Sequence, residues 1–166
     1  MTTSPESTNS EAEIKSTLEA VPRSMQGWTN AMGTAAIKRG LIALGKKKGY
    51  TVCASGFPDE CETEWLYDLV WYRTNPPHHL SEIGLVLESE WSFDLKHIVF
   101  DFDKLLIAKS LIKVMVFQDY KDNVPQLFSR LETGINSFKT ELTGEKYILA
   151  CYHNSKDSFA FKTITA

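Results

Sequence analysis

Asp68, Glu88 and Glu90 are the side chains of this sequence whose types and spacing could do chemistry. Each lies within a run of Val, Leu, Ile, Trp and Tyr, which is the composition of a β-strand. The two runs, 64–73 and 83–91, are joined by a segment with two prolines. This pattern predicts an antiparallel hairpin with its loop centred near His78.

The predicted register brings the acidic residues together. With the loop near His78, Tyr72 lies opposite Gly84, Val70 opposite Val86, and Asp68 opposite Glu88. Side chains that face each other across an antiparallel pair are roughly 5 Å apart at Cβ, and like charges there destabilise the sheet. The sequence therefore predicts a hard divalent cation, Mg²⁺ or Mn²⁺, held by the carboxylates.

The metal-ligand hypothesis names Asp68, Glu88 and Glu90 and has a simpler alternative. Each of these residues could instead lie at a strand end that faces water, where its charge needs no partner. The conjunction of the three acids with a lysine shortly downstream, Lys104, favours the metal site. For Lys104 the alternative is a surface ion pair with Asp101 or Glu88, which contributes little to stability.

The elements that would position these side chains follow from periodicity and turn residues. We predict helices at 11–20, 25–48, 101–110 and 123–142, the second of them capped by Ser24. We predict further strands at 50–54 and 111–117, with the interval 93–101 left as a loop or strand end. Segments 145–152 and 158–165 are expected to form a closing hairpin around a polar turn.

These residues resemble the PD-(D/E)XK nuclease superfamily, which has the restriction-endonuclease-like fold. That core runs helix, three strands, helix, strand on a central mixed sheet, with an Asp on the second strand and Glu-x-Lys on the third. Asp68 and Glu88 match the acidic positions, whereas Glu90 stands where the lysine is expected. The resemblance implies an α/β fold with this core, extended here by a C-terminal helix and β-hairpin.

The resemblance also implies a function. It suggests a Mg²⁺- or Mn²⁺-dependent nuclease that hydrolyses phosphodiester bonds, with DNA as the expected substrate. Asp68, Glu88 and Lys104 would be catalytic, the lysine having moved to the following helix, with Lys113 as a rival for that role. The alternative is a catalytically inactive module of the same fold that binds nucleic acid or a protein partner. Relatives of this fold often act as dimers, so a homodimer is also considered.

Composition and charge set the remaining expectations. The chain has 166 residues and a formal net charge of -3. We expect a disordered tail at 1–11 and a single domain at 12–166. No apolar run is long enough to span a membrane, and an odd count of three cysteines without metal-type spacing favours a cytoplasmic protein. A basic cluster is the expected nucleic-acid-binding surface, with a solvated helix end as the alternative: Lys38, Arg39, Lys46, Lys47 and Lys48.

Overall fold

The computed structural model describes residues 5–24, 27, 29–62, 65–76, 78–119, 123–140 and 143–166. These residues form four helices and six strands. In chain order they are α1 Pro5–Ser24, α2 Asn30–Lys47, β1 Thr51–Ala54, β2 Leu69–Asn75, β3 His79–Glu90, α3 Leu95–Leu106, β4 Ile112–Asp119, α4 Val124–Ser137, β5 Lys146–His153 and β6 Ser158–Thr165.

The strands form one mixed sheet in the order β1-β2-β3-β4-β5-β6. Antiparallel pairing joins β1 to β2, β2 to β3, and β5 to β6. The central strands β3, β4 and β5 run parallel, with α3 and α4 as the connections between them. The predicted α/β class with a central mixed sheet is confirmed.

Helices cover both faces of this sheet. One core cluster joins α1 and α2 to one face, and a second joins α3 and α4 to the other. Every residue of β4 and β5 is consequently buried. This is why both strands read as nearly continuous apolar runs, as parallel strands between helical layers do. No described helix has an apolar stretch sufficient to cross a membrane.

Helix α1 begins inside the segment 1–11 that we predicted to be a disordered tail. Residues 1–4 lie outside the described part of the chain, but the helix starts at Pro5. The Glu11 carboxylate accepts hydrogen bonds from Lys15, Lys146 and Thr163 at 2.6–2.9 Å. Burial alone would raise the pKa of Glu11, but these bonds outweigh it and hold the pKa at about 2. Glu11, which we had placed at the end of the polar tail, is thus tied to β5 and β6.

Helix α2 starts later than predicted. Its N-cap is Thr29, whose hydroxyl accepts the backbone N–H of Met32 at 3.3 Å, rather than Ser24, which is the last residue of α1. The start predicted at residue 25 falls on a segment of which residues 25, 26 and 28 are outside the described chain. The end at Lys47, just before Gly49 with its positive φ of 76°, agrees with the prediction within one residue.

Helix α3 corrects the prediction for 93–110. It begins at Leu95, and the Asp94 side chain caps it by accepting the N–H of Lys96 at 2.9 Å. Phe102 and Leu105 are buried in the predicted helix, and Ile98 continues their helical spacing back into the segment 93–101 that we left as a loop or strand end. Lys104 therefore lies in the last turn of the helix.

The β2–β3 hairpin has the predicted register at its centre and a different one near its loop. Val70 pairs with Val86 as predicted, but Tyr72 pairs with Ile83 because the register shifts between Trp71 and Tyr72. The unpaired Gly84 sits against the ring of Tyr50, where a built Cβ would lie 2.5 Å from a ring carbon. The shift turns Ile83 towards the α3–α4 face of the sheet, where it packs against the second core cluster.

The C-terminal elements follow the prediction closely. Helix α4 ends at Ser137, earlier than the predicted 142, and residues 141–142 lie outside the described chain. Strands β5 and β6 pair along their full length, from Lys146 opposite Thr165 to His153 opposite Ser158. The predicted closing hairpin is confirmed.

Candidate functional site

The predicted acidic residues lie where β2 begins and β3 ends. Asp68 immediately precedes β2, and Glu88 and Glu90 lie among the last three residues of β3. Leu69 pairs with Leu87, so the next residues outward along the two strands are Asp68 and Glu88. The hairpin therefore brings these two acids to the same end of the sheet.

Glu88 is the most buried acid of this group, with only 3% of its surface exposed. Its Oε2 accepts a hydrogen bond from Lys104 Nζ at 3.0 Å. Its Oε1 is buried and has no hydrogen-bond partner among the described residues. Burial raises the pKa of Glu88 to about 7; the Lys104 ammonium opposes this rise, and the negative charges of Asp68 and Asp101 add to it.

Lys104 joins Glu88 to its own helix. Its ammonium lies 3.0 Å from Glu88 Oε2 and 2.8 Å from Asp101 Oδ1, one helical turn earlier in α3. Burial lowers the pKa of Lys104, but the hydrogen bonds with Asp101 and Glu88 outweigh it, so the pKa is raised and the lysine stays charged. The ion pairs with Glu88 and Asp101, which we gave as the alternative to a catalytic Lys104, are both present.

Asp68 is held by a different lysine. Its Oδ2 accepts the backbone N–H and the hydroxyl of Ser89, at 2.8 and 2.7 Å. Its Oδ1 lies 3.1 Å from Nζ of Lys38, and that ammonium also donates to Ser55 Oγ at 2.8 Å. Asp68 thus connects the end of β3 with α2 and the turn after β1.

Lys38 was assigned to the basic surface but lies inside the protein, 4% exposed. It follows Ile37 and precedes Leu41 by three residues, so it belongs to the buried stripe of α2. That spacing was visible in the sequence and could have identified Lys38 as a core-facing cation. Sequence reasoning missed it because the residue was grouped by charge with its exposed neighbour Arg39.

The two acid–lysine pairs use helices from opposite layers. Lys38 comes from α2, which covers one face of the sheet, and Lys104 comes from α3, which covers the other. Within the described ranges, no three His, Cys, Asp or Glu side chains are arranged to hold a metal ion. The Asp68 and Glu88 carboxylates are close enough to interact electrostatically, but each forms an ion pair with a different lysine.

Glu90 takes part in the turn that leads to α3. Its Oε1 accepts the N–H of Ser92 at 2.6 Å. The hydroxyl of Ser92 in turn accepts the N–H of Asp94, the cap of α3, and contacts His97 Nδ1 at 3.0 Å. The Glu90 carboxylate therefore helps to shape the loop between β3 and α3.

Lys113, the rival for the lysine role, lies away from these acids. It pairs with Val86 in the sheet register, whereas Glu88 pairs with Met115. Its ammonium contacts Glu145 and the hydroxyl of Tyr147, the latter at 2.8 Å. Lys113 thus belongs to a separate buried cluster at the amino ends of β4 and β5.

The other members of the basic cluster contact acids or backbone oxygens. Lys47 and Lys48 both pair with Glu13 of α1. Arg39 Nε lies 3.7 Å from Glu60 Oε1, and Lys46 donates to the backbone oxygen of the same residue. Part of the positive charge counted in the sequence is therefore neutralised by α1 and by the loop after β1.

The acids fit a hard cation in one specific respect. Glu88 Oε1 is a buried carboxylate oxygen without a partner, which is the kind of group that an ion or a proton satisfies. The remaining oxygens of Asp68 and Glu88 are occupied by Lys38, Lys104 and Ser89. An ion at this place would therefore have to displace at least one lysine.

Comparison of the chain with protein-family models, with curated proteins and with solved structures finds no match.

Proposed function

We propose that this protein is a metal-dependent phosphodiester hydrolase that acts on nucleic acid, with DNA as the expected substrate. The observation that carries the proposal is the buried, unpartnered Oε1 of Glu88 beside Asp68 and Lys104. A buried carboxylate that lacks a hydrogen bond costs free energy, and such costs concentrate at functional sites.

The order of elements supports the same proposal. From α2 to β4 the chain runs helix, three strands, helix, strand, which is the order of the PD-(D/E)XK core that the motif resembles. Asp68 immediately precedes the second strand of that series, and Glu88 lies near the end of the third. The agreement between motif position and element order favours a restriction-endonuclease-like arrangement.

The chain's own residues would act as follows. Asp68 and Glu88 would hold the Mg²⁺ or Mn²⁺ ion, and Glu90, on the same side of β3 as Glu88, would be a peripheral ligand. A bound ion lowers the pKa of its water and neutralises charge on a phosphate. Lys104, kept charged by Asp101, would stabilise the negative charge that develops on the phosphate.

The test compares three variants with wild-type protein in Mg²⁺ or Mn²⁺, on duplex, branched and single-stranded DNA. Lys104→Ala should abolish cleavage without weakening ion binding, because the lysine is not a ligand and its positive charge opposes the ion. Asp68→Asn and Glu88→Gln should lose ion binding and cleavage together. Each variant is first checked for folding by its unfolding midpoint. If wild-type protein cuts none of these substrates with either ion, the proposed hydrolase activity is refuted.

A non-catalytic binding module of the same fold is the second candidate. It is favoured by the two lysines, since Lys38 and Lys104 already neutralise Asp68 and Glu88 without an ion. Glu90 in place of the motif lysine agrees with lost activity. Calorimetric titration with Mn²⁺ separates the candidates, because a module whose acids are paired with lysines has no need of an ion and should release no heat.

A further inference from the structure

Lys38 is a buried cation that contacts Oδ1 of Asp68, the oxygen that Ser89 does not bond. Its side chain is 5% exposed, and its Nζ lies 3.1 Å from Asp68 Oδ1. Asp68 Oδ2 already accepts two hydrogen bonds from Ser89. A divalent ion that used Asp68 would therefore compete with Lys38 for Oδ1.

We propose that Lys38 is a positioning residue that stands in for the divalent ion in the ion-free protein and leaves Asp68 when the ion binds, an inference that rests on the proposed function. Two cations at one carboxylate oxygen repel each other, and the Lys38 side chain, 5% exposed, is little screened by water. While Lys38 is in place, the Asp68 charge is balanced, so the ion-free site does not carry an unpaired Asp68 carboxylate beside Glu88.

Ser55 provides the displaced ammonium with a second position. Lys38 Nζ donates to Ser55 Oγ at 2.8 Å, and Ser55 is exposed on the turn after β1. The ammonium can therefore keep this bond when it leaves Asp68 and can meet an anionic group from solvent. A phosphodiester is the expected anion, so binding of the ion and binding of the phosphate should favour each other.

The first measurement is Mn²⁺ affinity of Lys38→Met, by calorimetry at fixed pH. Methionine retains much of the apolar stem that packs in the α2 layer and removes the competing charge. We expect Mn²⁺ to bind about tenfold more tightly or better, which corresponds to about 1.4 kcal/mol. The rise in unfolding midpoint on adding Mn²⁺ should also be larger in the variant than in wild-type protein.

The second measurement is the coupling with a phosphodiester. A short phosphorothioate oligodeoxynucleotide, which resists hydrolysis, should raise the Mn²⁺ affinity of wild-type protein. The rise should be smaller in Lys38→Met, because no ammonium remains to be transferred from Asp68 to the phosphate. An equal rise in both proteins would overturn the role of Lys38 in coupling.

Lys146→Met is the matched control. Lys146 is also a buried lysine, 8% exposed at its side chain, and pairs with Glu11 at 2.9 Å at the amino end of β5. Its replacement should lower the unfolding midpoint but leave Mn²⁺ affinity at the wild-type value. If wild-type protein binds Mn²⁺ and Lys38→Met binds it no more tightly, the inference is wrong and the proposed hydrolase stands. If wild-type protein binds no Mn²⁺, the proposed function and this inference fail together.

Discussion

The two carboxylate oxygens of Glu88 differ in their hydrogen bonding, although the residue is almost fully buried. One carboxylate oxygen bonds Lys104, and the other has no partner among the described residues. With a pKa of about 7, against about 4.5 in the unfolded chain, the folded state holds this proton more tightly than the unfolded state. The contribution of Glu88 to the free energy of unfolding is therefore largest below about pH 4.5 and is lost as the pH rises towards 7.

The first prediction concerns Glu88→Gln in the ion-free protein, kept in a chelator. The amide does not ionise, so the free energy of unfolding of the variant should improve relative to wild type as pH rises from 5 to 8. Between these two pH values, the free energy of unfolding of the variant minus that of wild type should rise by on the order of 3 kcal/mol. Urea unfolding of both proteins at several pH values measures it. A difference that stays constant with pH would show that Glu88 ionises normally.

At the scale of elements, α2 is placed by close contacts at two glycines. A Cβ built on Gly45 would lie 2.5 Å from Trp71 Nε1, and one on Gly40 would lie 2.6 Å from Thr17 Cγ2. The indole N–H of Trp71 also donates to the Leu41 carbonyl at 3.0 Å. The glycines thus let α2 approach both β2 and α1, and this approach carries Lys38 to Asp68.

The second prediction compares two helical glycines. Gly45→Ala should destabilise the protein by about 1–3 kcal/mol, because a rigid indole must move and this outweighs the gain in helix propensity. Gly134→Ala in α4 is the control. Its Cβ would lie 3.3 Å from a ring carbon of Phe102, which needs only a small shift. Thermal unfolding should therefore show a much smaller loss, or a gain, for the control, and equal losses would contradict the packing argument.

At the scale of the whole molecule, charge is distributed less unevenly than the sequence suggests. The segment between residues 20 and 58 contains basic residues but no Asp or Glu. Folding brings Glu13 to Lys47 and Lys48, and Glu60 to Arg39. The surface at the end of α2 is therefore a mixed patch, although Lys46 and Lys47 remain exposed.

The third prediction tests this patch as a nucleic-acid contact. Replacing Lys46, Lys47 and Lys48 by Gln should weaken DNA binding and reduce the slope of log affinity against log salt, by up to about 0.9 for each lysine that contacts a phosphate. Pairing with Glu13 should keep the total reduction below the full value for three lysines. The control replaces Lys139 and Lys156, exposed elsewhere. An unchanged slope in the triple variant would show that the patch does not touch the phosphates.

Local patterns were sufficient for much of the fold and for half of the site. Alternating apolar residues placed β2, β3, β5 and β6, and the turn residues between them set which strands pair. The neighbourhood of Asp68 and Glu88 followed from that pairing, since two residues on adjacent strands have neighbours determined by register alone. The ion pair of Lys104 with Glu88 was one alternative given from the sequence, and it forms because only residues 91–94 separate β3 from α3.

Partners that are distant in the chain were decided only by the tertiary structure. Lys38 reaches Asp68 because α2 packs on the sheet through Gly45, and Glu13 neutralises Lys47 and Lys48 because α1 packs on α2. The shift that pairs Tyr72 with Ile83 lies beside Gly84, where the Tyr50 ring leaves no room for a side chain. Such contacts depend on how whole elements fit together, which short-range periodicity does not specify. The sequence by itself determined the strand pairs and the acids that they carry, and packing between layers decided which cations meet those acids.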